Sequence, residues 1–528
     1  MEQNGEAKKG IPKKYIAIIV AALLVIGGSV AAFVLKTGSP KAQYFSAEKN
    51  TIEFITEKVE ERYQSEFDWA KTTMENPTEN SLELSAEYNG PPSNGMGMSP
   101  EQLINNSTIQ LTSQLNQDEN QLAADLQMNF AGIDINDVSM YVDADNVQLE
   151  LPFLEEGLQI KDDDLTALLQ EADPSLNDFN IDFEQLFNQM DGMLSDEDQS
   201  YIADEYFAMI YNELPDDAFE SADETVTVQD ESIDTEKITL QLSEQEVKEL
   251  VTTVLEKMKN DDQLKEIIKD QIKMQQFGIF ASNTMPAEME NEVDTMMEDF
   301  EQSIDETING LEDFQIPDGL TSVVWVQDDL IVKRDFSVSM APKDEETVSL
   351  TVQGNQLLQD AQQTIDYEFA IDEGALTLNA DLSNQDNALD DSISVAAGDI
   401  ELSYTGTSTL EDGTREFERT FSLNSQSTND SGSLNWNGEA TYDNDQMNAE
   451  HTLTVEIPDL PQDIISLHVK NDAQTINEVE QPDDANAKNL GGMSLNELEQ
   501  YFQTEVATQF QQWLMEIMGA PGDSMNSF

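Results

Sequence analysis

Apolar and polar residues alternate along most of this chain, and the period says which element each stretch forms. Leu82, Leu84, Ala86 and Tyr88 share one parity, as do Ile109, Leu111 and Leu115, then Leu122, Ala124, Leu126, Met128 and Phe130. Runs of period two with polar residues between predict strands with one wet face. Val138, Met140 and Val142, then Val147, Leu149, Leu151 and Phe153, flank Asp143 to Asn146 and predict a hairpin. From 320 to 470 the alternation scarcely stops: Val348, Leu350, Val352; Ile365, Tyr367, Phe369, Ile371; Leu376, Leu378, Ala380, Leu382; Ile400, Leu402, Tyr404; Leu434, Trp436, Ala440, Tyr442; Leu453, Val455, Ile457. Several of these runs exceed the usual strand length, which predicts a wide, curved antiparallel sheet.

Other stretches change period. Phe45, Ile52, Ile55, Val59, Tyr63 and Phe67 recur at helical steps, predicting a juxtamembrane helix over 44–75 that Pro77 ends. The β-rich body, 76–470, carries two helical insertions, 162–213 and 243–313. In the second, Ser243 and Glu246 form a capping box before the stripe Val247, Leu250, Val251, Val254, Leu255. Met285, Met289, Met296 and Met297 lie further along and suit either core packing or an adaptable apolar groove. A polar linker, 471–492, leads to a last helix, 493–518, opened by Ser494 and Glu497.

Residues 15–35, from Tyr15 through Leu24 to Leu35, are uncharged, and at 1.5 Å per residue such a run crosses a hydrocarbon layer of roughly 30 Å. Lys8, Lys9, Lys13 and Lys14 flank it, which predicts a cytoplasmic tail, 1–14, and a body outside a single-pass cell-membrane anchor. A cleaved signal peptide competes, with Ser29-Val30-Ala31 as a small-x-small site, but the apolar run continues through Phe33, Val34 and Leu35.

Charge narrows the partners. Of 25 basic residues seven fall in the first 49, beside three of the 107 acids, so the rest of the chain sets 18 basic against 104 acidic side chains. Such a body repels nucleic acid and anionic surfaces. Asp143, Asp145 and Glu150 approach a calcium-loop pattern but lack its central Gly, so no metal site is expected. There is no cysteine, hence no disulfide, thiol chemistry or acylated lipoprotein cysteine. Lys248, Lys257, Lys259, Lys265, Lys269 and Lys273 cluster on one insertion, as a docking face or as partners of neighbouring acids.

The segments VSMYVDADNVQLELPFL at 138–154 and KITLQLSEQEVKELVTTVLEKMKNDDQLKEII at 237–268 look like parts of uncharacterised membrane-anchored extracytoplasmic proteins of Bacillus-type bacteria. The order of long strands, helical insertions and more long strands over 75–340 resembles the LolA/LppX lipoprotein-carrier fold. That resemblance implies an α+β, half-open antiparallel barrel wrapping helices and holding an acyl chain. The usual lipoprotein cysteine is absent here.

Catalytic chemistry finds little footing. His451 shares parity with Leu453 and Val455 and is expected to face the core, whereas His468 should face away from Leu467 and Val469. No nucleophile elbow, phosphate loop or zinc-binding HExxH appears, and no cofactor or catalytic residue is expected. Three functions stay open. One is binding of a lipid or other hydrophobic envelope component in a groove between sheet and helices. A second is a non-catalytic structural role with envelope protein partners, and a third is hydrolysis by paired carboxylates.

Overall fold

Tight turns set the architecture. Ala131-Gly132, Gln229-Asp230, Asp328-Asp329, Asp386-Asn387 and Asp412-Gly413 each place two successive residues at positive φ. That is the two-residue hairpin geometry whose twist matches the right-handed twist of its strands. Strung together, such hairpins make a meander in which each strand pairs with the next. The computed structural model describes residues 38–90, 99–176, 180–184, 187, 195–277, 287–342, 347–371, 374–425, 427, 431–458, 464–482 and 486–519.

Within them the strands are β1 (Thr78–Tyr88), β2 (Thr108–Asn116), β3 (Gln121–Phe130), β4 (Ile133–Val142), β5 (Asn146–Glu150), β6 (Gly157–Lys161), β7 (Phe219–Val228), β8 (Glu231–Leu242), β9 (Phe314–Gln315), β10 (Leu320–Gln327) and β11 (Leu330–Pro342). They continue as β12 (Val348–Leu358), β13 (Gln362–Ile371), β14 (Gly374–Gln385), β15 (Ala388–Ala397), β16 (Ile400–Glu411), β17 (Thr414–Ser425), β18 (Ser431–Tyr442), β19 (Gln446–Glu456), β20 (Ile465–Thr475) and β21 (Ala487–Asn489). From one edge the sheet reads β7, β8, β10, β11 and on in sequence to β20. There β1 joins, Thr78 opposite Thr475, and β2 to β6 follow, with β21 parallel to β6 at the far edge. The short β9 pairs separately with the end of β11.

Alternation puts the apolar parity of most strands on one face, which helices partly cover, while Val226, Val228, Ile233 and Trp325 form a smaller buried cluster on the other face of β7, β8 and β10. The helix α1 (Pro40–Arg62), continued after Tyr63 by α2 (Gln64–Glu75), crosses the strands. The two together are roughly 54 Å long, which matches the roughly 53 Å of sheet between β8 and β20 at about 4.8 Å per strand. Tyr44 Oη bonds Ser322 Oγ at 2.7 Å, and Thr51 Oγ1 accepts from Ile331 N at 2.9 Å. Glu48 pairs with Arg334, Arg62 with Asp391, and Arg415 Nε with Glu66 at 2.6 Å. Trp69 ends the crossing among Ala440, Met447, Ala449 and Ala473. Only the start of this helix's expected apolar stripe meets the core, Phe45 packing on Tyr211 and Phe219, whereas Val59 and Phe67 further along stay 41% and 49% exposed. Its seat on the sheet is polar, so carboxylates, Arg62 and small residues turn inward in their place.

The main core lies where β8, β10, β11 and β12 meet α7 (Glu244–Asn260) and α9 (Ala287–Gly310). Before these in the chain come α3 (Pro100–Asn105), α4 (Asp162–Ala172), α5 (Asp196–Ile202) and α6 (Ala208–Glu213). Ile238, Leu242, Val324, Ile331 and Phe336 from the strands pack on Val247, Leu250, Val251 and Leu255 of α7 and Ile304 of α9. The Ser243 and Glu246 capping box is formed. Gly319 holds φ +66 before β10, where a Cβ would meet Leu242 O at 1.9 Å, so only glycine fits that turn. Near the other edge Phe183 and Phe187 of the first insertion pack on Val142 with Leu115, Leu122 and Val147. The last helices, α10 (Leu495–Tyr501) and α11 (Ala507–Gly519), dock through Phe510 and Trp513 on Phe153.

Between α7 and α8 (Asp262–Phe277) sits buried Asp261. It accepts hydrogen bonds from Tyr201 Oη at 2.7 Å, Tyr206 Oη at 3.0 Å and Leu264 N at 3.0 Å, with Lys257 Nζ at 3.1 Å. Burial pushes this carboxyl up, but the bonds from Leu264, Tyr201, Lys257 and Tyr206 outweigh it and bring the pKa down to about 2. A folded pKa below the unfolded 3.8 means the contribution is present above about pH 4 and lost as pH falls toward 2. Asp261→Asn is expected to cost about 2 kcal/mol at pH 7 and almost nothing near pH 2. Urea unfolding at the two pH values measures this, and an equal cost at both would refute it.

Two expectations are corrected. A half-open carrier barrel is not what forms: one sheet runs through nearly every described strand, because two-residue turns keep each strand beside its predecessor. The single-pass anchor is not upheld either. Residues 15–35, with Tyr15, Leu24, Leu35 and the flanking Lys8, Lys9, Lys13 and Lys14, lie outside the described residues. Among the described residues no helix is long and apolar enough to cross a membrane. The helices that are described carry charged faces suited to water and to the sheet.

Candidate functional site

The α1–α2 helix pair crosses near one end of the strands, beside the hairpins at 358–362, 385–388, 411–414 and 442–446. Toward the opposite strand ends the same apolar parity continues, without a cover among the described residues. Phe369 stands opposite Leu376, Leu402 opposite Leu423, Leu434 opposite Val455, and Leu111 opposite Leu126. Phe369, Leu376, Ile400, Leu402, Phe421, Leu423, Val455, Ile465, Leu467, Ile109, Leu111 and Phe130 are all more than a third exposed. Twelve successive strands, β13 to β20 and β1 to β4, carry this band, which at about 4.8 Å per strand is roughly 50 Å long. Monomeric proteins rarely leave so large a contiguous apolar patch in water, and such a patch marks a binding surface. The groove expected between sheet and helices is filled at β8 to β12 by the main core, so the free apolar surface lies beyond the helices.

The other face of β15 to β20 and β1 is polar and forms an open trough of about 860 Å³. Asp390, Glu416, Glu418, Glu439 and Glu450 line it, with Lys470 and His468 among them. His451 and His468 do not form a pair, since they stand on adjacent strands with opposite parity: His451 opposes Val469, and His468 Nδ1 lies 3.2 Å from Thr452 Oγ1. His451 packs instead against Phe417 and Trp436, with the Arg419 guanidinium 4.7 Å from the Trp436 ring centre. Burial, and then Arg419, hold its pKa below the usual histidine value. This is an aromatic and cation cluster, with no partner arrangement for acid-base work.

The six lysines of the second insertion meet acids: Lys248 with Glu244 at 2.7 Å, Lys257 with Glu205 at 3.1 Å, Lys259 with Asp305 at 2.6 Å. Lys265 pairs with Glu301, Lys269 with Asp294 and Lys273 with Asp270. The cluster therefore neutralises its surroundings and bridges α7 and α8 to α9. Met289, Met296 and Met297 are half-buried on α9, while Met285 lies outside the described residues. Among the described residues no three acidic or histidine side chains converge as metal ligands, Asp143, Asp145 and Glu150 included. What the pattern of the sequence could not show is the uncovered band. Its residues read as ordinary strand positions, and among the described residues the path of α1–α2 leaves them bare.

No family model matches this chain, and no curated protein does. Among solved structures it is similar to Pseudomonas aeruginosa OccK3 (OpdO), at 6% identity over 76% of this chain and 94% of that one, with a TM-score of 0.24. Acinetobacter baumannii OccAB2 matches at 6% identity over 76% and 97%, TM-score 0.23. A loop-deletion mutant of OmpT, described as an outer membrane protein of Vibrio cholerae, matches at 6% over 76% and 98%, TM-score 0.16. Likeness at these TM-scores carries no argument about fold or activity. The single continuous sheet and the absence of a spanning helix among the described residues set the LolA-like and single-pass descriptions aside.

Proposed function

We propose that the chain binds long hydrophobic molecules of the acyl-lipid class along the uncovered band of β13 to β4. The observation that carries this reading is the continuity of exposed apolar side chains across neighbouring strands, as in Leu402 beside Leu423. Alkyl chains gain by covering such a surface, at about 0.8 kcal/mol per buried methylene. A net charge of -82 opposes anionic headgroups, so the ligand is neutral or zwitterionic.

The test uses a fluorescent neutral diacylglycerol analogue titrated into the purified full chain. Saturable binding is expected. Leu402→Asp/Leu423→Asp should weaken it by more than about tenfold, since covering one leucine side chain is worth roughly 1.5–3 kcal/mol. Both positions are solvent-facing, and circular dichroism checks that the fold persists. Unchanged affinity in the double variant sinks the reading. So does a wild-type chain that takes up no ligand yet self-associates through these leucines.

A further inference from the structure

A second site lies on the polar face of β2 to β5, remote from the apolar band's parity. The segment after β20 turns back over these strands: Ile476 N donates to Pro77 O at 2.9 Å, and Glu480 N to Gln114 Oε1 at 2.7 Å. Residues 480–482 thereby roof a pocket of about 190 Å³ whose floor is Gln114, Asp125, Ser139 and Gln148. Strand register brings the floor together, with Asp125 opposite Ser139, Ser139 opposite Glu150, and Tyr141 opposite Gln148.

Every charge lining this pocket is negative: Asp125, Glu150 and Glu480. Burial, and then Glu480, Glu150 and Glu79, raise the Asp125 pKa, the signature of carboxylates without a counter-charge. Gln148 adds an independent observation. It is 2% exposed, it lines the pocket, and its Oε1 has no hydrogen-bond partner. A buried carbonyl oxygen left unpaired costs about 1–3 kcal/mol, and a donor that reaches it recovers that cost. The neighbouring Gln114 is already engaged, its Nε2 donating to Glu79 Oε2 at 2.8 Å. The pocket thus offers an unpaired amide oxygen and three carboxylates, beside the hydroxyls of Ser139 and Tyr141 and the amide of Gln481.

We propose that this pocket binds a small organic ammonium ion, such as the end of an alkylamine or polyamine. An ammonium has three donors and no acceptor, the complement of one amide oxygen and surrounding carboxylates. A bare divalent cation needs several oxygens converging at about 2.3–2.6 Å, and among the described residues no such cluster of acids forms. The volume holds roughly six waters at about 30 Å³ each, the size of a short alkylamine. Ala123 and Pro482 supply a short apolar wall for its carbons.

Isothermal titration calorimetry of the full chain with 1,4-diaminobutane at about 0.15 M salt, where the screening length is about 8 Å, tests this. One saturable site is expected. Glu150→Gln/Glu480→Gln, at two exposed positions, should weaken it at least about tenfold, because charge-assisted bonds are about twice as strong as neutral ones. The control Glu416→Gln/Glu439→Gln removes the same charge from the polar trough and should change affinity less than about twofold, the separation being beyond the screening length. Equal losses in both variants would mean diffuse attraction to an acidic body and would overturn the site. Calcium competing for the same site with higher affinity would overturn the organic-ammonium assignment.

Discussion

Glu48→Ala is expected to destabilise the fold by about 3–5 kcal/mol, the cost of stranding a buried charge. Glu48 and Arg334 are both buried where α1 crosses β11, and Glu48 Oε1 and Arg334 Nη1 already lack partners. Burial disfavours the guanidinium's charge, but the Glu48 carboxylate and Tyr44 beside it hold its pKa above the ordinary arginine value. Removing Glu48 leaves that charge with nothing to compensate its lost hydration. The double variant Glu48→Leu/Arg334→Met removes both charges and should recover most of the loss, because an apolar pair of similar volume is often neutral or stabilising. Urea unfolding of wild type, both single variants and the double variant closes the cycle. A single-variant cost below about 1 kcal/mol, the level of a surface pair, would show the pair to be hydrated.

The second large effect sits in the main core. Phe336 on β11 is 1% exposed, beneath α1 and beside Ile238, Val324 and Ile331. Phe336→Ala is expected to cost about 3–5 kcal/mol, combining lost burial with the cavity left between close-packed neighbours. The same substitution at Phe421, 39% exposed in the apolar band, should cost less than about 1 kcal/mol without ligand. A thermal-unfolding comparison of the two variants separates a packed core from a surface awaiting a partner. Equal losses at the two sites would show the band to be covered in solution, and would weigh against the proposed lipid surface.

Several features were legible from single residues and their spacing. The period-two runs placed Leu82, Leu111, Leu126, Leu376, Leu402 and Leu453 on strands, and their parity matches one face of the sheet, since successive side chains on a strand point to opposite sides. The capping box at Ser243 was readable because it is built from residues three apart. His451 and His468 fell on opposite faces for the same reason of parity.

Which face α1 turns inward beyond Phe45 was not legible, for an equally physical reason. A periodic stripe that includes Val59 and Phe67 says which helix face is oily, not what surface awaits it. The waiting surface carries Ser322, Arg334, Asp391 and Arg415, so the charged face turned inward. Those partners lie hundreds of residues away in the chain. The pocket roofed by Glu480 is of the same kind, since Asp125, Gln148 and Glu480 meet only because β1 joins β20.

By itself, then, the sequence determined the local period of each element, the acidity of the surface and the absence of cysteine, all of which depend on residues close together or on a simple count. The tertiary structure alone decided the order of strands across one sheet, the seat of the long helix and the bare apolar band beside it. Those depend on which distant surfaces meet, a choice made by the summed burial and pairing free energy of the whole chain and not by any short stretch of it.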